Sequence, residues 1–475
     1  SSSAPAAPAL VSRPADAQEI VVAPPAGAPM SFADLIERVR PAVVSISVRQ
    51  RPSAAGGPNV EGLPPGFEEF FRGQPGRPGP APTALGSGFF IAENGTIVTN
   101  HHVVAGAEEI TVRTSDGRDL QAELIGSDEP TDIAVLRVRG GGRFPFVTLD
   151  NARHVRVGDW VVAVGNPFGL DGTATAGIVS AIGRRDAGSS AYVDYMQIDA
   201  PINRGNSGGP TFDLRGNVIG VNSAIFSPTG GNVGIGFAIP SETASTVVGQ
   251  LLQGGRVTRG WIGVSIQPLD SDIARSLGLE NSRGALVASV VPDSPAARAG
   301  LLQGDVILNF DGVDIADNRE LTQRVGASQI GRNLPMQVLR SGSRRTLNIR
   351  LAERPSEQVL ASRDGGSAET PEPGGAGEGV LGVSVRPMSA DDRQRLELGA
   401  DESGLVVTAV SPTSDLAQKG LRPGDVILQA GGRAVRTSEE LNTAAEAARR
   451  AGRPLLLQVD GRAGRRFIAT ETGAG

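Results

Sequence analysis

One serine in this chain lies in a stretch that suits neither a helix nor a regular strand. The segment NRGNSGGP, residues 203 to 210, surrounds Ser207 with three glycines, two asparagines, an arginine and a proline. A serine hydroxyl becomes a good nucleophile only when a base takes its proton, and the resulting oxyanion needs fixed N–H donors. Because glycines let the backbone turn inward, the N–H groups of Gly205 and Ser207 can point at one place. GNSGG alone is also typical of an ordinary surface turn.

Three histidines could act as the base. His154 lies in RHVRVGD, where charged residues alternate with valine, so we expect it to face solvent on a strand edge. His101 and His102 end the run GTIVTN, and successive side chains of a strand point in opposite directions, so only one of them can face a cleft. Asp132, before the apolar run IAVLRV, could orient the base, but an aspartate there is also typical of a turn or cap.

The pattern G-x-S-x-G around Ser207 also occurs in α/β-hydrolases, which gives a competing mechanism. In that fold the catalytic histidine follows the serine, whereas all three histidines here precede Ser207. A β-rich segment, NVIGVNSAIF, follows the serine where that fold has a helix. The order histidine, aspartate, serine is that of chymotrypsin-type proteases, which are built on β-barrels.

The elements that must position these residues are predicted to be mostly β-strands. A short helix begins near Ser31 and ends before Pro41, and a second helix covers PSETASTVVGQLLQGG, residues 240 to 255. Between them, short β-branched runs are separated by turn residues, with a hairpin at Asn94-Gly95. The runs are AVVSISV, GFFIAENGTIVTN, DLQAELIG, DIAVLRV, DWVVAVG, GTATAGIVSAIG, AYVDYMQID and NVIGVNSAIF. This spacing is typical of a barrel or sandwich.

A Pro- and Gly-rich insertion separates the first two runs, at residues 50 to 85. It is too long for an ordinary connection between strands, so we expect it to be functional or disordered. Its centre, GFEEFF, carries three phenylalanines, which are costly to leave in water, so this part could dock elsewhere on the protein.

An internal duplication predicts two further domains. GDVIL occurs at residues 304 to 308 and again at 424 to 428, and WIGVSIQP at 261 is matched by VLGVSVRP at 380. With roughly 100 to 200 residues per domain, a chain of 475 residues should hold about three domains. The predicted segments are a disordered tail (1–31), a β domain (32–256) containing the insertion, the first repeat (257–353), a flexible linker (354–377) and the second repeat (378–472).

Composition excludes several classes of function. The formal net charge is −6, so a dedicated nucleic-acid binder, which needs a Lys/Arg-rich face, is not expected. No cysteine is present, which excludes thiol catalysis and thiolate metal sites, and the three histidines lack zinc-motif spacing. No apolar run is long enough to span a membrane. The Ala/Pro-rich start is typical of the mature end of an exported protein, and we expect that a signal peptide is absent from this sequence.

Several segments, in this order, resemble the signatures of one family. VTNHHVV, TDIAVL, GNPFGL, and QIDAPINRGNSGGP with GIGFAIP beyond it are similar to those of the HtrA (Deg/Do-like) serine proteases. The repeats resemble the PDZ domains of the same family, so the resemblance covers residues 32 to about 472. It implies a mostly β fold, a chymotrypsin-like double β-barrel protease domain followed by two α+β PDZ domains.

The resemblance also assigns a triad. The family's histidine directly precedes two valines, which is His102 here, and Asp132 and Ser207 match the aspartate and the nucleophile. Ser207 would attack the scissile carbonyl, His102 would transfer the proton, and Asp132 would hold the ring and stabilise its charged form. Gly205, Asn206 and Ser207 would form the oxyanion hole, with Asn206 setting the turn between the two donors.

A specificity pocket follows from the same resemblance. Ile235, Gly236 and Phe237 match its lining, and Pro201 stands where trypsin-like pockets have an aspartate, so Lys or Arg specificity is not expected. The direction of Asp199 stays open at this point. The resemblance implies small aliphatic P1 residues such as Val or Ala. Because such side chains are usually buried, cleavage would select unfolded or damaged chains.

Each PDZ domain is expected to bind a peptide C-terminus as an added strand beside a glycine-containing loop. The loop residues are Ile262, Gly263 and Val264 in the first domain and Leu381, Gly382 and Val383 in the second. The second domain has Glu378-Gly379 where the first has Arg259-Gly260, which leaves its affinity for a free carboxylate open.

The function implied is that of a periplasmic, ATP-independent serine endopeptidase in protein quality control. Its expected partners are unfolded polypeptides, exposed C-terminal peptides, and further copies of the chain in trimers or multiples of trimers. No cofactor or metal is expected, since no phosphate-binding glycine loop with its lysine is present. The alternative is a chaperone or scaffold that captures misfolded chains, with proteolysis secondary.

Overall fold

The computed structural model describes residues 31–50, 83–149, 154–166, 172–185, 190–202, 205–225, 233–355, 380–395, 398–399, 402–461 and 464–472. Nearly all of the predicted tail, most of the insertion with its GFEEFF segment, and most of the linker lie outside these residues. The described residues form two closed six-stranded barrels, followed by one two-stranded sheet and two six-stranded sheets. The predicted mostly β double barrel with smaller domains after it is therefore confirmed.

The first barrel consists of β1 (Val43–Gln50), β2 (Thr83–Ala92), β3 (Thr96–Thr99), β4 (Ala107–Arg113), β5 (Asp119–Asp128) and β6 (Ile133–Val138). These strands close in the order β1-β2-β3-β6-β5-β4. The predicted hairpin between β2 and β3 is confirmed, and Gly95 in its turn has a φ of 82°, a conformation that favours glycine.

The second barrel consists of β7 (Trp160–Gly165), β8 (Thr173–Arg184), β9 (Tyr195–Ile198), β10 (Pro210–Phe212), β11 (Val218–Ile225) and β12 (Gly236–Pro240). It closes in the order β10-β11-β12-β9-β8-β7. The runs identified in the sequence omit β4, β10 and β12. Adjacent Glu108 and Glu109 obscure the alternation of β4, β10 has three residues, and β12 starts with a glycine and ends with a proline, which strands disfavour.

Many strands read as continuous apolar runs because both of their faces are buried. Phe90 of β2 packs inside the first barrel, whereas its neighbour Phe89 packs in a core shared by the two barrels. In β7, Val161 lies inside the second barrel and Val162 lies in the shared core. This shared core fixes the position of one barrel against the other, and with it the groove between them.

In the described part of the barrel region, the α-helices are α1 (Ala33–Val39), α2 (His101–Val104) and α3 (Ser241–Gly254). As predicted, α3 ends with glycine, since Gly255 takes a left-handed conformation after its last turn. The sequence predicts strand-like alternation at His101 and His102, but these residues begin a helix of one turn. Their side chains therefore diverge by about 100° around a helix axis. Among the described residues, no helix has the length and apolar character needed to cross a membrane.

The first repeat forms β13 (Gly260–Trp261), β14 (Val264–Pro268), β15 (Ala285–Val290), β16 (Val306–Phe310), β17 (Val313–Asp314), β18 (Asn333–Arg340), β19 (Ser343–Arg350) and β20 (Ala352–Glu353). Its helices are α4 (Ser271–Ser276), α5 (Pro295–Ala299) and α6 (Asn318–Ala327). The second repeat forms β21 (Val383–Pro387), β22 (Leu405–Val410), β23 (Val426–Ala430), β24 (Arg433–Ala434), β25 (Leu455–Asp460) and β26 (Arg466–Thr470). Its helices are α7 (Ala390–Arg395), α8 (Asp415–Gln418) and α9 (Ser438–Arg450).

The two repeats have the same topology. The first sheet has the order β14-β15-β16-β18-β19 and the second has β21-β22-β23-β25-β26, with β17 and β24 pairing in equivalent positions. The repeated GDVIL segments lead into β16 and β23. In each repeat the first strand of the sheet lies at an edge, next to a helix, α6 or α9. An edge strand beside a helix is a geometry that accepts an added peptide strand.

Candidate active site

His102 and Asp132 form a hydrogen-bonded pair at one end of the first barrel. Nδ1 of His102 lies 2.9 Å from Oδ1 and 2.8 Å from Oδ2 of Asp132, and the backbone N–H of His102 donates to Oδ1 at 3.0 Å. The imidazole is buried, with 6% of its side chain exposed. Contact with the carboxylate keeps a proton on Nδ1, so Nε2 is the nitrogen suited to accept a proton from a reacting group.

Asp132 is held by its backbone as well as by its carboxylate. It follows a 3-10 helix, Glu129–Thr131, and takes the left-handed conformation with a φ of 55°, which aspartate tolerates better than most residues. Its carbonyl accepts hydrogen bonds from the backbone N–H of His101 at 3.1 Å and from Nδ2 of Asn100 at 2.9 Å. The sequence left open whether Asp132 is a cap residue or the partner of the base. In the structure it is both, because it ends the 3-10 helix and contacts His102.

The environment of Asp132 favours its ionised form. Burial by itself would raise the pKa of this carboxyl, but the neighbouring His102 and the hydrogen bonds from His102 and Ser223 hold the pKa below its ordinary value. Ser223 Oγ donates to Oδ2 at 2.9 Å. At neutral pH the group is therefore a carboxylate, which can stabilise a positively charged imidazolium.

Strand β11 connects this pair to the segment around Ser207. Next to Ser223, the carbonyl of Asn222 accepts from the backbone N–H of Gly208 at 2.8 Å, and its Nδ2 donates to the Asn206 carbonyl at 3.2 Å. The carboxylate and the Ser207 segment thus bind to consecutive residues of one strand, which are about 3.3 Å apart along the chain. Both lie in the same part of the groove.

Residues 205 to 208 form a turn that requires glycine. Gly205 has a φ of 102° and Gly208 a φ of 83°, both in the region that other residues avoid. A Cβ on Gly208 would lie 2.3 Å from the carbonyl oxygen of Ser87, which is too close for any side chain. This close approach explains why position 208 requires glycine, next to Ser207, which is 7% exposed.

The peptide groups of this turn have defined directions. The carbonyl of Asn206 faces the second barrel, where it accepts from the backbone N–H of Gly209 at 3.0 Å and from Nδ2 of Asn222. No cis peptide bond occurs among the described residues, and in a trans peptide the N–H points opposite to the C=O. The N–H of Ser207 therefore points away from Asn222. The carbonyl of Ser207 faces the first barrel and accepts from the backbone N–H of Ser87 at 2.9 Å.

The side chains of the other two histidines lie outside this arrangement. Nδ1 of His101 is 3.0 Å from Oγ of Ser127. The side chain of His154 is 42% exposed, as predicted, and its Nε2 lies 3.9 Å from a carboxylate oxygen of Asp213. His154 lies in a turn and not on a strand edge, which corrects the predicted position.

The predicted pocket residues do not share one face of β12. A Cβ on Gly236 would lie 2.8 Å from Cγ1 of Ile202, inside the second barrel. Phe237 points the other way, into the core between the barrels, with its ring centroid 6.2 Å from that of Tyr195. Ile235 packs on the same side as Phe237. Strand alternation therefore separates Gly236 from its two neighbours, and Phe237 is packed as a core residue.

Two residues upstream of the turn acquire clear positions. Ile202 is 2% exposed, and the carbonyl of the adjacent Pro201 accepts from Nδ2 of Asn206 at 3.3 Å, so Ile202 lies next to the turn. The direction of Asp199 is now defined, since its Oδ1 accepts from the backbone N–H of Ile178 at 2.6 Å. Its carboxylate is held against the backbone of β8.

The glycine-containing loop of the first repeat is tightly packed. The carbonyl of Ile262 accepts from the backbone N–H of Ala296 at 2.8 Å, and Gly263 has a φ of 80°. A Cβ on Gly263 would lie 2.2 Å from Cβ of Ser294, so only glycine fits. Val264 then begins the edge strand β14.

The corresponding loop of the second repeat lies beside a cavity. Leu381 has a φ of 62°, Gly382 a φ of 72°, and the carbonyl of Gly382 accepts from the backbone N–H of Ser411 at 2.8 Å. Val383 begins the edge strand β21. The cavity, of about 680 Å³, is also lined by α9, including Asn442, Glu446 and Arg449.

Arg259 does not reach the loop of the first repeat. Its guanidinium donates two hydrogen bonds of 2.7 Å to the carboxylate of Asp128 in the first barrel and lies 4.4 Å from the ring centroid of Tyr192. In the sequence, the difference between Arg259 and Glu378 suggested that the two repeats differ in carboxylate binding. In the structure, Arg259 instead binds Asp128 of the first barrel.

Four residues around the site were not identified from the sequence: Ser87, Ile202, Asn222 and Ser223. Three of them carry a usable signal, because they are polar residues inside otherwise apolar strand segments, LGSGFF and VIGVNSAIF. A buried polar side chain needs a hydrogen-bond partner, so such a position indicates a contact beyond the strand ladder. Ile202 carries no comparable signal.

Known families and proteins resemble this chain along most of its length. A family model described as trypsin-like peptidase domain matches residues 86–221, and the PDZ domain model matches residues 260–351 and 379–464. A probable periplasmic serine endoprotease DegP-like from Brucella suis is 45% identical over 489 aligned positions, covering 96% of this chain and 92% of that protein. A protein of the same description from Rhizobium meliloti is 42% identical over 472 positions, covering 92% and 91%.

Solved structures give the same similarity. The HtrA-type protease AlgW with a decapeptide is 39% identical, with a TM-score of 0.59 over 69% of this chain and 100% of that chain. The serine endoprotease from Yersinia pestis is 34% identical, with a TM-score of 0.52 over 69% of this chain and 100% of its own.

Proposed function

The chain belongs to the DegP-like family of HtrA-type serine endoproteases, and we propose that it degrades unfolded or damaged polypeptides in the periplasm through a triad of His102, Asp132 and Ser207. One observation carries the proposal. The buried His102–Asp132 pair and the glycine turn around Ser207 are hydrogen-bonded to consecutive residues of β11. Such an arrangement holds a base, its orienting acid and a nucleophile in one groove.

Each group has a defined part in acyl transfer. Ser207 Oγ attacks the scissile carbonyl carbon while Nε2 of His102 takes its proton. When the C–N bond breaks, His102 returns that proton to the leaving amine, which leaves an acyl-enzyme on Ser207. Water then attacks the acyl group, again with His102 as base, and releases the new carboxyl terminus. Asp132 keeps the ring oriented and stabilises its charge throughout.

The turn at 205 to 208 supplies the oxyanion hole in this proposal, through the N–H groups of Gly205 and Ser207, with Asn206 between them. The direction of the Ser207 N–H, opposite to a carbonyl held by Asn222, supports this assignment. Loss of one such donor typically lowers kcat by about 10² to 10³-fold.

Specificity for small aliphatic P1 residues is part of the proposal. The partly buried Ile235 offers apolar surface for such a side chain. The carboxylate of Asp199 is held by the backbone of Ile178, so it is not positioned to pair with a P1 lysine or arginine. Because small aliphatic side chains are mostly buried in folded proteins, such a pocket would select unfolded substrates.

The PDZ domains would bind substrate C-termini or regulate assembly. The edge strands β14 and β21, each beside a helix and each preceded by a glycine-containing loop, support binding by strand addition. Binding of a decapeptide C-terminus to each domain can be followed by isothermal titration calorimetry. A C-terminally amidated peptide of the same sequence is the control, since it lacks the carboxylate.

We expect the chain to assemble into trimers or multiples of trimers. An exposed apolar cluster supports an interface between copies: Val157 is 61% exposed, Trp160 is 47% exposed, and the ring of Phe32 lies 5.6 Å from that of Trp160. Native mass spectrometry should show a mass of three chains, and Trp160→Arg should yield monomers. A wild-type protein that is only monomeric would contradict this expectation.

The triad is tested by cleavage of casein with Ser207→Ala, His102→Ala and Asp132→Asn. Each variant should lose activity by at least about 10⁴-fold, because the triad acts as a unit. His154→Ala is the matched control, since this histidine is exposed and outside the groove, and it should retain full activity.

Labelling by a fluorophosphonate, with and without unfolded substrate, tests the nucleophile directly. The label should attach to Ser207, and Ser207→Ala should prevent labelling. Casein cleavage by Ser207→Ala at the wild-type rate would remove the proposal.

A further inference from the structure

Ser87 of β2 is connected to the Ser207 turn by more hydrogen bonds than its place in the first barrel requires. Its backbone N–H donates to the Ser207 carbonyl at 2.9 Å, and its Oγ donates to the Gly205 carbonyl. The same Oγ accepts from the backbone N–H of Asn166 at 2.9 Å. Three of its polar contacts therefore reach the second barrel.

The location of Ser87 explains this pattern. In β2, a Cβ on Gly88 would meet Ile46 and Ile97 inside the first barrel, whereas Phe89 packs in the core between the barrels. By strand alternation, Ser87 shares the face of Phe89 and points at the second barrel. Its side chain is fully buried, so its hydroxyl must find partners within the protein.

The partner in the turn is a peptide group that could otherwise rotate. Gly205 has a φ of 102°, and a glycine at such an angle is free to adopt other orientations at little steric cost. The hydroxyl of Ser87 binds the Gly205 carbonyl and so selects one orientation of the peptide that follows it. Together with the bond from Ser87 N–H to the Ser207 carbonyl, it holds both ends of the turn against the first barrel.

From these contacts we infer that Ser87 is a positioning residue: by holding the carbonyls of Gly205 and Ser207, it fixes the two peptide groups on either side of the Asn206–Ser207 peptide and so keeps the N–H of Ser207 in its direction. It does not touch the substrate. The inference rests on the proposed function, because the donors matter only if Ser207 is the nucleophile. A hydroxyl that served only barrel stability would instead bond within its own sheet, as Ser47 does with the Thr111 carbonyl at 3.4 Å.

The test compares Ser87→Ala and Ser87→Cys with Ser47→Ala in the full chain, using kcat and KM for a chromogenic peptide with valine at P1. Ser87→Ala should lower kcat by about 10²-fold, the lower end of the loss for a missing oxyanion donor, with KM nearly unchanged. Ser87→Cys keeps a weak donor and should have a kcat between the wild-type and Ala values. Ser47→Ala should retain the wild-type kcat.

A substitution that changed only stability would shift the midpoint of thermal unfolding and leave the kcat of the folded enzyme unchanged. The midpoint is therefore measured beside the kinetics. A folded Ser87→Ala protein with the wild-type kcat, or with a raised KM instead of a lowered kcat, would overturn the inference. If Ser87→Ala does not fold, Ser87→Cys decides, because a wild-type kcat in that variant contradicts the inference. Ser207→Ala separates the two hypotheses: activity in that variant removes the proposed function, whereas its inactivity beside a fully active Ser87→Ala removes only the role of Ser87.

Discussion

The first PDZ domain has two contacts of different chemistry: it contacts the barrels through charged side chains, and it contacts the second PDZ domain mainly through apolar ones. At the first contact, the guanidinium of Arg259 and the carboxylate of Asp128 are 10% and 5% exposed and lie 2.7 Å apart. Arg319 of α6 adds an ion pair of 3.3 Å with Asp194, and Arg185 pairs with Asp317 at 2.5 Å.

The contact between the PDZ domains is an apolar cluster. It contains Leu269, Ile273, Ala274, Leu286 and Val306 of the first domain and Phe467 and Ala469 of the second. Gln267 of β14 extends it, since its side-chain amide donates to the Phe467 carbonyl at 3.0 Å and accepts from the Phe467 N–H at 2.8 Å.

The charged contact and the apolar contact should lose stability differently when a residue is substituted. A buried ion pair adds little beyond its desolvation cost, but removal of one partner leaves an uncompensated charge and is strongly destabilising. An apolar contact loses stability in proportion to the area removed. A single substitution should therefore strongly destabilise the first contact. At the second contact, each substitution should cost stability according to the apolar area that it removes.

The largest effect is expected for Arg259→Met, which keeps the length of the side chain and removes its charge. Asp128 would stay buried without its cation, and the cation–π contact with Tyr192 would be lost as well. The free energy of unfolding should fall by about 3–5 kcal/mol. Urea unfolding followed by tryptophan fluorescence measures it, since Trp160 belongs to the second barrel and Trp261 to the first PDZ domain.

Arg256→Met is the matched control for this change. Arg256 lies three residues earlier and pairs with Glu353 at 2.6 Å, but its side chain is 69% exposed. An exposed pair contributes at most about 1 kcal/mol. Equal losses in the two variants would contradict the importance of burial at the first contact.

A smaller loss, of about 3 kcal/mol, is expected for Phe467→Ala. This side chain is 8% exposed, and the cavity left by its removal can partly close if the two PDZ domains move. Hydrogen exchange should become faster in α4, which lies across the contact and includes Ile273. Phe146→Ala, at a position that is 52% exposed, should leave exchange in α4 unchanged. Unchanged exchange in the Phe467 variant would show that the domains do not depend on this contact.

The sequence was informative where a property is local. The strand runs, the hairpin at Asn94-Gly95 and the glycine after α3 depend on a few adjacent residues, and the structure agrees with them. His102 and Asp132 could be selected as a pair because each lies in a short motif with a recognisable order. The duplication was visible for the same reason, as repeated short segments.

The sequence could not predict contacts between residues that are far apart along the chain. Arg259 precedes the PDZ loop in the chain, yet its partner Asp128 lies 131 positions earlier, on the other side of a domain contact. Ser87 bonds Gly205 across 118 positions, and no local pattern specifies such a partner. Phe237 and Gly236 were grouped by motif, but strand alternation placed them on opposite faces.

The smallest effect is expected for Lys419→Met at the contact between the PDZ domains. Lys419 Nζ lies 2.6 Å from Oδ2 of Asp272 and 3.0 Å from Oδ2 of Asp415, with 27% of its side chain exposed, so its loss should cost less than about 1 kcal/mol. This is below the loss expected for Phe467→Ala, as an apolar contact requires. A larger loss in Lys419→Met than in Phe467→Ala would mean that charges hold both contacts.

The pH dependence of this small effect sharpens the comparison. Hydrogen bonds from Lys419 and Arg275 hold the pKa of Asp272 below its ordinary value of 3.8. A carboxyl whose pKa is lowered on folding stabilises the protein above that ordinary value, and its contribution disappears as the pH falls through the lowered one. The difference in urea midpoint between wild type and Lys419→Met should therefore be constant from pH 7 to about pH 5 and shrink toward pH 3. The apolar cluster around Phe467 contains no titrating group, so the difference in urea midpoint between wild type and Phe467→Ala should persist over the same pH range. If the differences for Lys419→Met and Phe467→Ala declined in parallel, the second contact would not be apolar in nature.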